Sequence, residues 1–190
     1  MVRRFLFPLA LLVAACHGPA PDTPPGAFDS PDETAGIDPL PVVTVRFDSA
    51  HWNGKTVPAE GRCKALGGTG RTPPLIIGGI PTGARTVLVA FSKRGDSDLD
   101  DGGLGVVGWT LPLGASLFVT PPVPGQTESL PPGAWIERSH GAALGPRVGY
   151  LGPCFPESGA VYEADVRVMG PTGQGEQGVM AHGVISLGQD

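Results

Sequence analysis

Glycine and proline interrupt this chain so often that no stretch of it offers a long amphipathic helix. Thirty glycines and 22 prolines are spread over 190 residues, with 30 and 22 both well above ordinary usage. In a helix interior a glycine costs about 1 kcal/mol and a proline about 3 kcal/mol relative to alanine. The apolar runs between them are therefore read as strands. Val42 to Phe47 alternates, and Asn53-Gly54 supplies a turn signal after it. Thr86 to Phe91 and Gly105 to Leu111 are apolar runs of strand length, the second closed by Pro112. Val161 to Met169 alternates apolar and polar with period two, which predicts one buried and one wet face. Gly178 to Leu187 closes the chain as a last strand or a short irregular pair. The expected fold is mainly β: an antiparallel β-sandwich with long loops and little helix.

The N-terminus is of a different kind. Arg3 and Arg4 precede an apolar stretch from Phe5 to Ala15 that is too short to span a bilayer as a helix. This is the anatomy of a secretory signal peptide. It closes as Leu12-Val13-Ala14-Ala15-Cys16, which resembles the lipobox of bacterial lipoproteins. The resemblance implies cleavage before Cys16 and acyl chains, palmitate among them, on that cysteine. One chain binds membranes marginally and two or more hold firmly. Residues 16–41 follow as a tether rich in proline, aspartate and glycine, with too little aliphatic content to offset its ordering entropy. At roughly 5–6 Å times the square root of its length, it reaches about 25–30 Å. The expected organisation is a signal peptide over 1–15, a lipidated tether over 16–41 and a β domain over 42–190. His17 is not the aspartate that retains enteric lipoproteins in the inner membrane, so the expected address is the periplasmic face of the outer membrane.

Two of the 13 lysines and arginines lie in the signal, which leaves 11 against 18 acids in the mature chain. An acidic surface without basic clusters argues against nucleic-acid partners and against electrostatic docking on anionic lipid. With Cys16 acylated, Cys63 and Cys154 remain, and an even pair in an oxidising compartment suggests a disulfide.

Several segments, in order, resemble the phosphatidylethanolamine-binding protein family in its bacterial branch. Trp52-Asn53-Gly54 with Val57-Pro58 resembles the family's opening, and Cys63 followed by Thr72-Pro73-Pro74-Leu75 resembles its "C.G....SPPL". Pro81-Thr82-Gly83-Ala84 fits the turn before the "ALVV" strand, and Trp109-Thr110-Leu111-Pro112 resembles "WNIP". The most specific match runs from Gly149 to Pro156, close to "GYGGPCPP", with Tyr162 at the family's later tyrosine. The resemblance covers about residues 45 to 188. It implies a β-sandwich of that family's type whose loops frame a small anion pocket, walled by two aspartates, two histidines and an arginine.

This chain departs from most of that wall. Gly105 stands where the first histidine would be, and Ala160-Val161 where the second histidine and the arginine would be. The aspartates read as Ser92-Lys93-Arg94 without gaps, or as Asp96-Ser97-Asp98 with a four-residue insertion. The second alignment is preferred because it restores both carboxylates. The candidate ligand site is then Asp96, Asp98, Trp109, Gly152 and Pro153, with acids lacking their basic partners, an arrangement that repels phosphate. The family's late helix is replaced by the glycine-rich stretch from Gly170 to Gly178.

Other patterns carry less chemistry. Asp96, Asp98, Asp100 and Asp101 before Gly102-Gly103 resemble half of a calcium loop, but no glutamate follows at the twelfth position, and no metal site or cofactor is expected. His51, His140 and His182 lack ligand partners at metal spacing, and a structural hydrogen bond is expected of His182. No G-x-S-x-G elbow is present, and Cys154 has no base in the matched position, so an enzyme is not expected. Two functional readings follow. One is a binding module whose altered pocket takes a small neutral or cationic ligand. The other is an envelope interaction or inhibitor module acting through surface loops, the Pro-rich stretch from Thr120 to Trp135 foremost.

Overall fold

A computed structural model of the chain describes residues 39–155, 159–173 and 175–189. Signal peptide, Cys16 and most of the tether lie outside the described residues. Within them the chain forms eight strands and one short 3-10 turn (Lys64–Leu66), so it is mainly β with almost no helix. No described helix is long and apolar enough to cross a membrane.

Strands β1 (Thr44–Phe47), β2 (Leu75–Gly78) and β5 (Leu117–Val119) form a three-stranded antiparallel sheet in the order β1-β2-β5. Strands β3 (Thr86–Lys93), β4 (Val106–Thr110), β6 (Ala134–Arg138), β7 (Val161–Pro171) and β8 (Gln177–Gln189) form a five-stranded one, ordered β6-β4-β3-β7-β8 and antiparallel throughout. Residues buried from both sheets form a single core in a sandwich-like arrangement.

The alternation in β7 is the clearest link between sequence and packing. Tyr162, Ala164, Val166 and Val168 are fully buried, while Glu163, Asp165 and Arg167 stand on the other face. β3 contributes Val87, Val89 and Phe91 to the same core, and β2 contributes Leu75 and Ile77. Each large aliphatic buried in this way stabilises the fold by roughly 1.5–3 kcal/mol before entropy is counted.

Several expected strands change length. The first begins at Thr44, with Val42 making an isolated parallel bridge to His182 instead. The C-terminal segment is one 13-residue strand, not an irregular pair. β2, β5 and β6 are additions, and each is too short for a period-two pattern to stand out. After β7 the glycine-rich stretch turns directly into β8, closed by Thr172 N–H donating to the Glu176 carbonyl.

Two ends of the sandwich can be distinguished. At one lie the start of β3, the end of β4 and the β7–β8 turn, tied by Arg85 N–H to Met169 O (2.8 Å) and Leu111 N–H to Arg85 O (2.8 Å). At the other lie the end of β3 and the loop that follows it, roughly 23 Å away at 3.3 Å per residue along β3.

Candidate functional site

The loop after β3 carries the candidate aspartates, and its backbone is built to hold them. Asp96 Oδ1 accepts from Asp98 N–H (3.2 Å), and Leu99 N–H and Asp100 N–H both donate to the Asp96 carbonyl. Leu99 is buried beneath the loop, and Ser92 Oγ accepts from Gly102 N–H (2.8 Å) at its far end. Asp101 adopts φ 44°, a left-handed conformation uncommon outside glycine. Arg167 on β7 holds its carboxylate at 2.9 Å, and the Arg138 guanidinium on β6 donates to its carbonyl.

The expectation of acids without basic partners is corrected by these contacts. Lys93 pairs with Asp96 at 3.2 Å, Arg94 with Asp100 at 3.8 Å, and Arg167 with Asp101. Arg94 also reaches Glu163 at 3.5 Å, and Arg167 reaches Asp165 at 3.3 Å. Lys93 at the end of β3 and Arg94 beside it adjoin the loop in sequence, whereas Arg167 comes from β7, which no local spacing relates to the loop. Desolvation pushes the Asp96 carboxyl up, but the hydrogen bond from Lys93 and those from backbone N–H groups outweigh it, leaving it below its ordinary value of 3.8. Asp98 alone in the loop has no ion pair among the described residues.

Two clefts open against this loop. One, of about 360 Å³, is lined by Asp98, Asp100, Asp101 and Gly102 on one side and by Arg138, Ser139 and Gly141 on the other. The second, of about 280 Å³, is lined by Asp96, Asp98 and Leu99 and faced by Ala142, Ala143, Arg147 and Phe155. Asp98 and Gly141 line both, so the two clefts adjoin as a groove along the loop. Its outer wall, residues 141–147, is held by His140, which is 2% exposed and bonds the Pro146 carbonyl through Nε2 at 2.9 Å. Arg147 and His140 carried no signal in sequence, since neither stands in a spaced motif.

Of the predicted site residues, Asp96 and Asp98 meet in the groove, while Trp109, Gly152 and Pro153 line none of the clefts described here. Trp109 is 2% exposed, in the core. Gly152 is packed so closely that a Cβ there would come within 2.3 Å of the Gly61 carbonyl oxygen, and Pro153 O accepts from Cys63 N–H. Both serve the joint between two loops, which a disulfide from Cys63 to Cys154 closes with a Cα–Cα distance of 5.1 Å. The groove touches this joint through Phe155, which stacks under the Lys93 ammonium (4.8 Å) and whose carbonyl accepts from Tyr162 Oη. Gly105, where the family resemblance places a histidine, has φ 117°, and a Cβ would meet the Tyr150 backbone at 3.0 Å. A side chain there would be strained by the backbone conformation and crowded against the Gly149–Tyr150 backbone.

The remaining candidates are also placed. Among the described residues no three His, Cys, Asp or Glu side chains converge as a metal would require, and the loop aspartates instead face different cations. His51 Nδ1 meets Glu60 at 3.1 Å on the lip of a separate cleft of about 340 Å³. His182 engages through its backbone, which accepts from Val43 N–H and donates to Pro41 O, while its side chain is exposed. The Pro-rich stretch is half committed to the body. Thr72 Oγ1 accepts from Val123 N–H, Thr120 Oγ1 accepts from Leu75 N–H, and Gln126 N–H donates to Tyr150 O. Only residues 127–133 are left as a surface loop, since Ala134 and Trp135 already belong to β6.

Comparison with protein-family models and with curated proteins finds no match to this chain.

Proposed function

We propose that this chain is an extracytoplasmic lipoprotein, acylated on Cys16, whose β domain binds a small polar ligand in the groove between the 96–103 loop and the 138–147 segment. The domain is read as a divergent relative of the phosphatidylethanolamine-binding proteins, and the motif order along the sequence supports that reading. The observation that carries the binding function is the charge layout of the groove. An unpaired carboxylate, Asp98, faces Arg147 across a floor that includes Leu99, Ala142 and Phe155, and the other loop acids are neutralised from outside. Counted with their partners, the acids and bases around the groove nearly balance. Such a site attracts neither a lone phosphate nor a lone amine strongly, but it suits a ligand that carries both signs or none. This moves the expected ligand from neutral or cationic towards zwitterionic.

Thermal shift of the mature chain with inorganic phosphate, ethanolamine, phosphoethanolamine and glycine tests it. A ligand present at 100 times its Kd stabilises by about 2.7 kcal/mol. One of the two zwitterions should raise Tm more than phosphate or ethanolamine, and Asp98→Asn should remove the effect. Phosphate alone performing as well as either zwitterion would sink the reading.

A further inference from the structure

We infer that the end of the domain opposite the groove rests on the surface of a lipid bilayer, with Leu113 and Leu117 as its contact residues; this rests on the proposed acylation of Cys16. The sheet register places the pieces. Thr44 of β1 pairs with Gly78 of β2, which pairs with Leu117 of β5, so the start of β1 and the turn leading into β5 share one end of the molecule. The described chain enters the domain at that same end, through Leu40 and Val42. These four aliphatic side chains are 43% (Leu40), 73% (Val42), 83% (Leu113) and 54% (Leu117) exposed, and Val119 continues the row along the free edge of β5.

Exposed aliphatics scattered singly need no explanation, whereas a group of them around one chain end does. The end is also nearly free of charge. The segments that build it, residues 39–45, 78–86, 110–120, 131–134 and 170–178, contain only Arg85 and Glu176 as charged residues. Insertion to the level of the headgroups therefore desolvates almost no charge. The occupant follows from the chain itself. An acyl anchor at residue 16 joins the domain at this end through a tether of some 25 residues, whose root-mean-square reach is about 25–30 Å, so this is the end delivered first to the membrane. The missing basic residues mean that the attraction is apolar and independent of anionic lipid.

The test uses the chain carrying its own lipid, reconstituted in phosphatidylcholine vesicles. With Cys16 acylated and Cys63 bonded to Cys154, a nitroxide can be placed singly by Leu113→Cys, or at the opposite end by Leu66→Cys. The ratio of collisions with oxygen to collisions with an aqueous nickel chelate should rise several-fold at 113 relative to 66. Adding Leu117→Asp should return it to the aqueous value, and adding phosphatidylglycerol should leave it unchanged. Equal, aqueous ratios at both sites on a chain whose mass shows the lipid would overturn the docking and leave the anchor standing. An unacylated Cys16 would overturn both. Dipolar broadening between labels at 113 would assign the surface to a second copy and overturn the membrane contact.

Discussion

Tyr150 shows how much a single atom can matter here. Its ring packs on Phe91 with centroids 4.5 Å apart, and its hydroxyl is buried with no hydrogen-bond partner among the described residues. Burial, with a smaller contribution from Tyr162, pushes the phenol well above its ordinary value of 10.0. The folded state thus holds this proton more tightly than the unfolded chain does. Its stabilising share is intact below pH 10.0 and is lost as pH climbs past that value towards the folded one. Tyr150→Phe should be neutral or stabilising by about 1 kcal/mol at neutral pH, because an unsatisfied hydroxyl is removed. It should also flatten the alkaline limb of stability against pH, measured by denaturant titration across that range. A loss of more than about 1 kcal/mol at neutral pH would show that the hydroxyl is satisfied after all. At this scale the sequence was half legible. Asp96 and Asp98 stand out as spaced carboxylates with Lys93 close by in sequence, whereas Arg138 and Arg167, which hold Asp101, lie on two distant strands. Only folding brings them together.

Elements were legible where their pattern was long. Eleven residues of β7 alternate without a fault, and the apolar runs of β3 and β4 bracket themselves between glycines and prolines. β5, with three residues, gives no period to read, and β6 mixes Trp135 and Ile136 with Glu137 and Arg138 on a half-exposed edge. Gly152 and Pro153 read in sequence as ligand contacts, but close backbone approach governs them. The loop joint they occupy makes its own prediction. The Cys63–Cys154 link spans 91 residues, and closing a loop of that order removes about 4–5 kcal/mol of unfolded-state entropy in the chain-entropy model. Replacing both cysteines by alanine should lower unfolding free energy by an amount approaching that figure, read from denaturant midpoints at constant slope. A change below about 1 kcal/mol would mean that the joint is held by Gly152 packing and the Cys63–Pro153 hydrogen bond instead.

Viewed whole, the domain is polar in the geometric sense. The groove with its ion pairs lies past the end of β3, and the chain entry with its exposed aliphatics lies at the start of the same strand. An anchored domain resting on its apolar end therefore presents the groove outward. Any ligand that shifts Tm in free solution should bind the vesicle-held chain with the same affinity, measured by titration calorimetry on both forms. Weaker binding on vesicles would mean that the bilayer covers the groove. None of this orientation could be read beforehand, because it depends on strand order and not on any one segment's composition.

The entry segment has a mechanical meaning as well. Val43 N–H bonds to the His182 carbonyl at 2.8 Å and His182 N–H to the Pro41 carbonyl at 3.0 Å, with the segment running parallel to β8. A pull from the N-terminal side would thus load these two bonds in parallel along β8, so that they must slide together instead of opening one by one. If the chain is held at Cys16 as proposed, residues 41–43 would act as a strain relief between the anchor and the core.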